Sequence, residues 1–156
     1  MSRATATASV EVSKPPAEVF AYLCDVSRHG EWSPKAYRVE GIEAGTPLRP
    51  GTRYTSYGWV PRDSDHRNEV EVSEVSAPTR LVLTATDGGQ KFISTFTVTA
   101  SGTGSRVQRV LDMPKPGGVL GLVFPVILTA LVKPDVGKGL GKLKTNLENP
   151  TGWQRA

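Results

Sequence analysis

The sequence predicts an α+β fold: a curved, seven-stranded antiparallel sheet wrapped around a long C-terminal helix, with two short helices after the first strand. Three observations carry this expectation. Residues 37–112 fall into six short strand-like segments separated by brief turns rich in Gly, Pro and Asp, the pattern of an antiparallel meander. Residues 117–149 form the only stretch long enough to cover one face of that meander. It opens as a dense apolar run over 119–132, then spaces Val136, Leu140, Leu143 and Leu147 four, three and four apart on one helix face. At the other end, Ala4, Ala6, Ala8, Val10 and Val12 alternate with Thr5, Thr7, Ser9 and Glu11, a half-buried strand.

The totals fit one soluble domain over residues 1–156, with 38% hydrophobic and 22% charged residues. A single cysteine, Cys24, excludes an internal disulfide, and residues 1–5 lack the apolar core of a signal peptide. Both point to a reducing cytoplasm. The net charge of +4 is spread along the chain, with loose clusters at 62–67 and 133–144 and no nucleic-acid reader motif, so nucleic acid is not an expected partner. The run 119–132 is shorter than the roughly 20 residues of a membrane span and holds Pro125 near its centre, so stable membrane insertion is not expected.

In chain order, Ser13-Lys14-Pro15-Pro16 ends the first strand and starts a helix to about Val26, with Ser13 or a neighbour as cap and Val19, Phe20, Leu23 and Val26 as its apolar face. A second short helix spans 27–32 and stops before Pro34. Strands follow at 37–43, 52–60, 69–75, 80–86, 91–100 and 106–112. Over 52–60, Tyr54 faces one side with Ser56 and Val60, while Tyr57 and Trp59 face the other. The alternation slips at Val75, as a bulge would cause. Asp87-Gly88-Gly89 is a hairpin turn, and Phe92, Phe96 and Val98 share a face of the strand after it. In the terminal helix, Pro125 and Pro134 each remove a backbone donor, which predicts a kink or break near Phe124 and again before Pro134.

These features resemble a known family. Val10-Glu11-Val12-Ser13-Lys14-Pro15-Pro16-Ala17-Glu18-Val19-Phe20, then Leu23, Asp25 and Trp32-Ser33-Pro34, is similar to the opening of the SRPBCC (START-like) superfamily, as are the turn at 102–107 and the closing helix over 140–147. The likeness spans about residues 4–148 and is nearest the polyketide cyclase/dehydrase-type members. It implies the helix-grip fold and a deep, mostly apolar pocket between sheet and terminal helix that takes a lipid, a sterol-like molecule or a polyketide. It implies no metal, nucleotide or other cofactor.

The expected function is binding, or transport, of such a hydrophobic small molecule. The expected ligand-binding residues are Phe20, Trp32, Tyr54, Phe92, Phe96, Arg109, Leu120, Phe124 and Leu128. Arg109 has two readings. Val107, Arg109 and Leu111 form the more apolar face of the last strand, which would carry Arg109 inward and oblige it to find a partner; the opposite face, with Val110, would leave it in water. Catalytic residues are not legible. Cys24 follows core Leu23 and reads as a small buried hydrophobe. His29 and His66 lie in polar contexts, and Asp63-Ser64-Asp65-His66 reads as a solvated tip, not a metal site.

Two alternatives stand beside binding. One is an aromatic polyketide cyclase or dehydratase acting on a carrier-bound chain, which needs a carbonyl-polarising donor and a base, with Tyr54, Arg109 and His29 as candidates. The other is a toxin-like or other protein-interaction module built on 119–132. Gly137 and Gly141, four apart, would let the helix approach the sheet or a partner closely, which leaves a homodimer open.

Overall fold

The computed structural model describes residues 3–60 and 62–150. Met1 and Ser2, read above for a leader, Pro61 of the polar turn, and residues 151–156 of the assigned domain lie outside the described residues. Seven strands form one antiparallel sheet in the order β1-β7-β6-β5-β4-β3-β2. They are β1 (Arg3–Val12), β2 (Tyr37–Glu40), β3 (Arg53–Gly58), β4 (Arg67–Ser76), β5 (Arg80–Asp87), β6 (Gln90–Ser101) and β7 (Gly104–Pro114). The last six run as a meander, and β1 joins β7 with Ala6 opposite Leu111 and Val10 opposite Val107. The β4–β5 register shifts between Val72 and Glu74, so the bulge falls at Ser73, ahead of the expected slip.

Helix α1 spans Pro16–Cys24 and buries Val19, Phe20, Tyr22 and Leu23. Pro15 takes the cap position in extended conformation and Pro16 starts the first turn, so the helix begins without a side-chain cap. The Ser13 amide instead donates to Glu148 Oε2 at 2.8 Å and ties the chain ends together. A 3-10 helix, Val26–Glu31, follows and buries Val26 and His29.

The terminal element is helix α2 (Gly118–Ile127), a π-wound turn (Leu128–Val132) and helix α3 (Lys133–Glu148). The two prolines do not break it. Pro125 sits inside α2, Pro134 is the second residue of α3, and the winding changes over Leu128–Val132 between them. Here the Lys133 amide donates to the Leu128 carbonyl, five residues back. Val136, Leu140, Leu143 and Leu147 of α3 are buried, and the three leucines make the main core with Val19, Leu23, Phe96, Val98 and Val107. A second cluster joins Ala6, Leu111, Met113, Leu128 and Val136. A Cβ added at Gly137 would meet Ala8 of β1 at 4.0 Å, but the tightest approach among the α3 glycines is at Gly139, where an added Cβ would lie 3.3 Å from Pro34 and 3.4 Å from the Trp32 carbonyl. That contact sets α3 against the segment that closes the cavity below.

Candidate ligand cavity

The concave face of the sheet leaves a space of about 200 Å³ beneath the 3-10 helix and the loop after it. The strand register builds its floor. Tyr54, Val70, Ala85 and Phe92 form one row across β3 to β6. Leu83, Ser94 and Leu111 form the next, and Phe96 lies opposite Arg109. His29, Trp32 and Pro34 form the roof, and Tyr37, Trp59 and Asp87 stand at the sides.

Arg109 points into this space. Its Nη2 donates to Ser94 Oγ at 2.9 Å and its Nε to the same oxygen at 3.3 Å. Its guanidinium carbon lies 5.1 Å from the Phe96 ring centre, 5.3 Å from Trp59 and 6.0 Å from Trp32, an aromatic cage. No carboxylate among the described residues pairs with it. Burial pushes its pKa down to about 10, against the opposing pull of Tyr37 and Tyr54, so it remains a cation at neutral pH.

The other polar groups are also donors. Trp32 Nε1 and Tyr54 Oη are buried without a hydrogen-bond partner among the described residues. Burial raises the pKa of Tyr54 well above the usual phenol range, with Tyr37 adding to it, and burial likewise raises Tyr37, so both stay protonated. His29 Nε2 lies 2.7 Å from the Leu23 carbonyl, which can only accept, so the neutral ring carries its proton there. Burial lowers the His29 pKa to about 4, with Arg109 pushing the same way. Asp87 is engaged by His66, Nε2 to Oδ2 at 2.8 Å. The cavity can therefore bind and polarise an oxygen, whereas the one free base among its described residues, His29, is weak.

Of the residues expected from sequence, Trp32, Tyr54, Phe92, Phe96 and Arg109 line the cavity together. Phe20 is 5% exposed and packs in the main core. Leu128 is buried in the second cluster, and Phe124 packs against it near Phe92 and Trp59. Leu120 lies on the outer side of α2, 53% exposed. Sequence reasoning passed over Tyr37, Ser94 and Trp59. Trp59 was assigned to the opposite face from Tyr54, but Gly58 (φ 102°) and Trp59 (φ 73°) are both left-handed, and this corner swings the indole back to the cavity. Gly58 was the available signal: a Cβ there would overlap the Ala36 carbonyl oxygen. Cys24 stays a thiol, its pKa pushed up to about 11 by burial. No three His, Cys, Asp or Glu side chains gather as a metal site among the described residues.

Residues 3–148 match the family described as polyketide cyclase / dehydrase and lipid transport. The chain belongs to that family. It is a soluble, SRPBCC-type family, and family and fold together support a role in hydrophobic-ligand binding or polyketide chemistry. The search of curated proteins gave no match. Among solved structures, the chain is similar to DynU16, a protein of the dynemicin biosynthetic locus, with TM-score 0.66 and 18% identity over 94% of this chain. It spans about half of that protein, 48% of its length. KanY gives TM-score 0.69 and 21% identity, covering 96% of this chain and 100% of that one. TTHA0849 of Thermus thermophilus gives 0.67 and 17%, covering 92% and 97%. At these identities the likeness is one of fold, and the helix-grip arrangement of open sheet and long terminal helix is common to all.

Proposed function

We propose that the chain binds a small, mainly apolar molecule bearing one anionic or strongly accepting oxygen, with Arg109 as the group that meets it. The observation carrying this reading is a half-buried guanidinium, lining the cavity, whose only hydrogen-bond partner among the described residues is a neutral serine hydroxyl. A buried charge without a counterion is unfavourable by several kcal/mol, which a ligand anion offsets. Trp32 and Tyr54 line the same cavity, and their unpartnered Nε1 and Oη are two further candidate donors.

Size narrows the class. An apolar cavity of roughly 150 Å³ holds a benzene ring, and drug-sized ligands need about 300 Å³ or more. The space here, about 200 Å³, suits a body of one or two rings or a short acyl chain. It is small for a sterol or an extended polyketide in this conformation. The cyclase alternative draws support from the family description and from the same donors. Among the described residues it lacks a base of suitable strength, because His29 has a pKa of about 4 and Asp87 is held by His66.

Titration calorimetry with 2-naphthoate and with its neutral isostere 2-naphthamide tests the reading. The acid should bind at least tenfold more tightly, the factor expected for one charge-assisted hydrogen bond. Equal affinities, or preference for the amide, would refute it.

A further inference from the structure

The outer surface of α2 is apolar and bare. Val119, Leu122 and Val126 are 78%, 81% and 69% exposed, and Leu120, Val123 and Leu131 extend the patch. By residue size these six expose roughly 600 Å², the top of the range for the largest apolar patch on a typical monomer. Within residues 116–132 there is no charged side chain, and the run is bracketed by Lys115 and Lys133. Neither lysine has an ion-pair or hydrogen-bond partner among the described residues. The nearest acids are already engaged, Asp112 by Arg3 at 2.7 Å and Asp135 by Lys35 at 2.8 Å. The one hydroxyl on the run, Thr129 Oγ1, donates to the Pro125 carbonyl at 3.0 Å, so the helix satisfies its own polar groups there.

We propose that this face is a reversible docking surface for an anionic phospholipid bilayer. An apolar helix surface with cations at both ends suits a helix lying in the interface plane, its side chains below the headgroups and its lysines reaching up to the phosphates. The helix lies on the bilayer and does not cross it. The continuous helical element Gly118–Glu148 is long and apolar enough to span by composition alone, and only 17% of its apolar window is buried. Its second half, however, is held in the core by Val136, Leu140, Leu143 and Leu147. The free part, α2 with the π-wound turn, is only about 22 Å long, against a hydrocarbon core of about 30 Å.

Charge decides between a bilayer and a second copy of the chain. Antiparallel pairing of two α2 faces sets Lys115 against Lys133 of the other copy, and parallel pairing sets each lysine against itself. Both bring like charges together with no free acid nearby, whereas anionic headgroups neutralise both lysines. On its inner side α2 carries Phe124, which packs in one cluster with the cavity residues Trp59 and Phe92, so docking would set the cavity wall against the lipid. The proposal stands whether or not the ligand assignment above does.

The test is co-sedimentation of the full-length chain with vesicles of phosphatidylcholine alone and of phosphatidylcholine mixed with phosphatidylglycerol. The expected result is binding to the mixed vesicles that weakens with added salt. Partitioning should fall about fivefold for each of Lys115→Gln and Lys133→Gln, and tenfold or more for Leu122→Glu combined with Val126→Glu. Because these side chains are exposed, thermal unfolding of the variants should match the parent. A Leu122→Trp variant should shift its emission to the blue on mixed vesicles and not on raising protein concentration. Absence of vesicle binding by the parent overturns the proposal. So does a concentration-dependent dimer, seen by sedimentation velocity and abolished by Leu122→Glu, in a chain that ignores vesicles.

Discussion

Arg109→Met separates a binding arginine from a structural one. Methionine keeps the length and the apolar stem and removes the charge. In the folded chain burial lowers the guanidinium pKa from 12.5 to about 10, a preference of about 3 kcal/mol against the charged form. Losing the Ser94 hydrogen bond and the ring contacts returns about 1–2 kcal/mol of that. The ligand-free variant should therefore be more stable than the parent by roughly 1–2 kcal/mol, or about 3–6 °C in Tm for a chain of this length. Binding should move the other way. Affinity for 2-naphthoate should drop by about 1.5–3 kcal/mol, roughly 10- to 150-fold, while 2-naphthamide changes little. Differential scanning fluorimetry and titration calorimetry read the two effects on the same samples. A variant less stable than the parent by about 2 kcal/mol, or one that loses acid and amide equally, would show that Arg109 holds the fold together, and the reasoning about its missing counterion would fail.

Three further outcomes concern Tyr54, His29 and Cys24. Tyr54→Phe removes a hydroxyl that has no hydrogen-bond partner among the described residues, so stability to urea should be unchanged or rise by up to about 1 kcal/mol; a loss of 2 kcal/mol or more would reveal an essential bond. His29 titrates at about 4 when folded and near 6.5 when unfolded, so the unfolded chain binds more protons between those values. The associated stability is complete above pH 6.5 and is lost as pH falls, by about 2 kcal/mol down to about pH 5. Urea titrations across that window should show a flatter pH dependence for His29→Phe than for the parent. With its thiol pKa near 11, Cys24 should resist iodoacetamide at about pH 8 in the folded chain and react once urea unfolds it, as followed by intact-mass measurement.

The strands were legible because alternation is a local property. One buried face forces it on β1, β3, β6 and β7, and the same argument favoured an inward Arg109 between Val107 and Leu111. Two things were not legible. The first is Trp59, whose side was inferred by continuing the β3 alternation past Gly58, where two left-handed residues end the strand. The second is the cover of the run 119–132. When every face of a helix is apolar, periodicity cannot say which face meets the protein, and Leu120, Phe124 and Leu128 were all expected at the ligand. In the fold α3 already occupies the sheet beside β1, and most of α2 extends beyond it with its outer side in water. The cavity lining likewise depends on Trp32 of the roof and Tyr37 of the side, brought together from segments whose meeting is set by tertiary packing.

The π-wound turn has a consequence for how this helix tolerates changes in length. An uninterrupted α-helix carrying Val136, Leu140, Leu143 and Leu147 inward would bring Thr129, Pro125 and Leu122 to the same side. The inward positions are instead Leu128, Phe124 and Gly121, one residue out of phase. The widened turn holds the equivalent of one inserted residue and absorbs the mismatch locally. Removing a single residue within Leu128–Val132 should let the turn revert to ordinary winding while both flanking helices keep their orientation. A deletion of the same size within α3 would rotate everything before it by about 100°, turning Leu120 and Val123 inward and Phe124 away from the core.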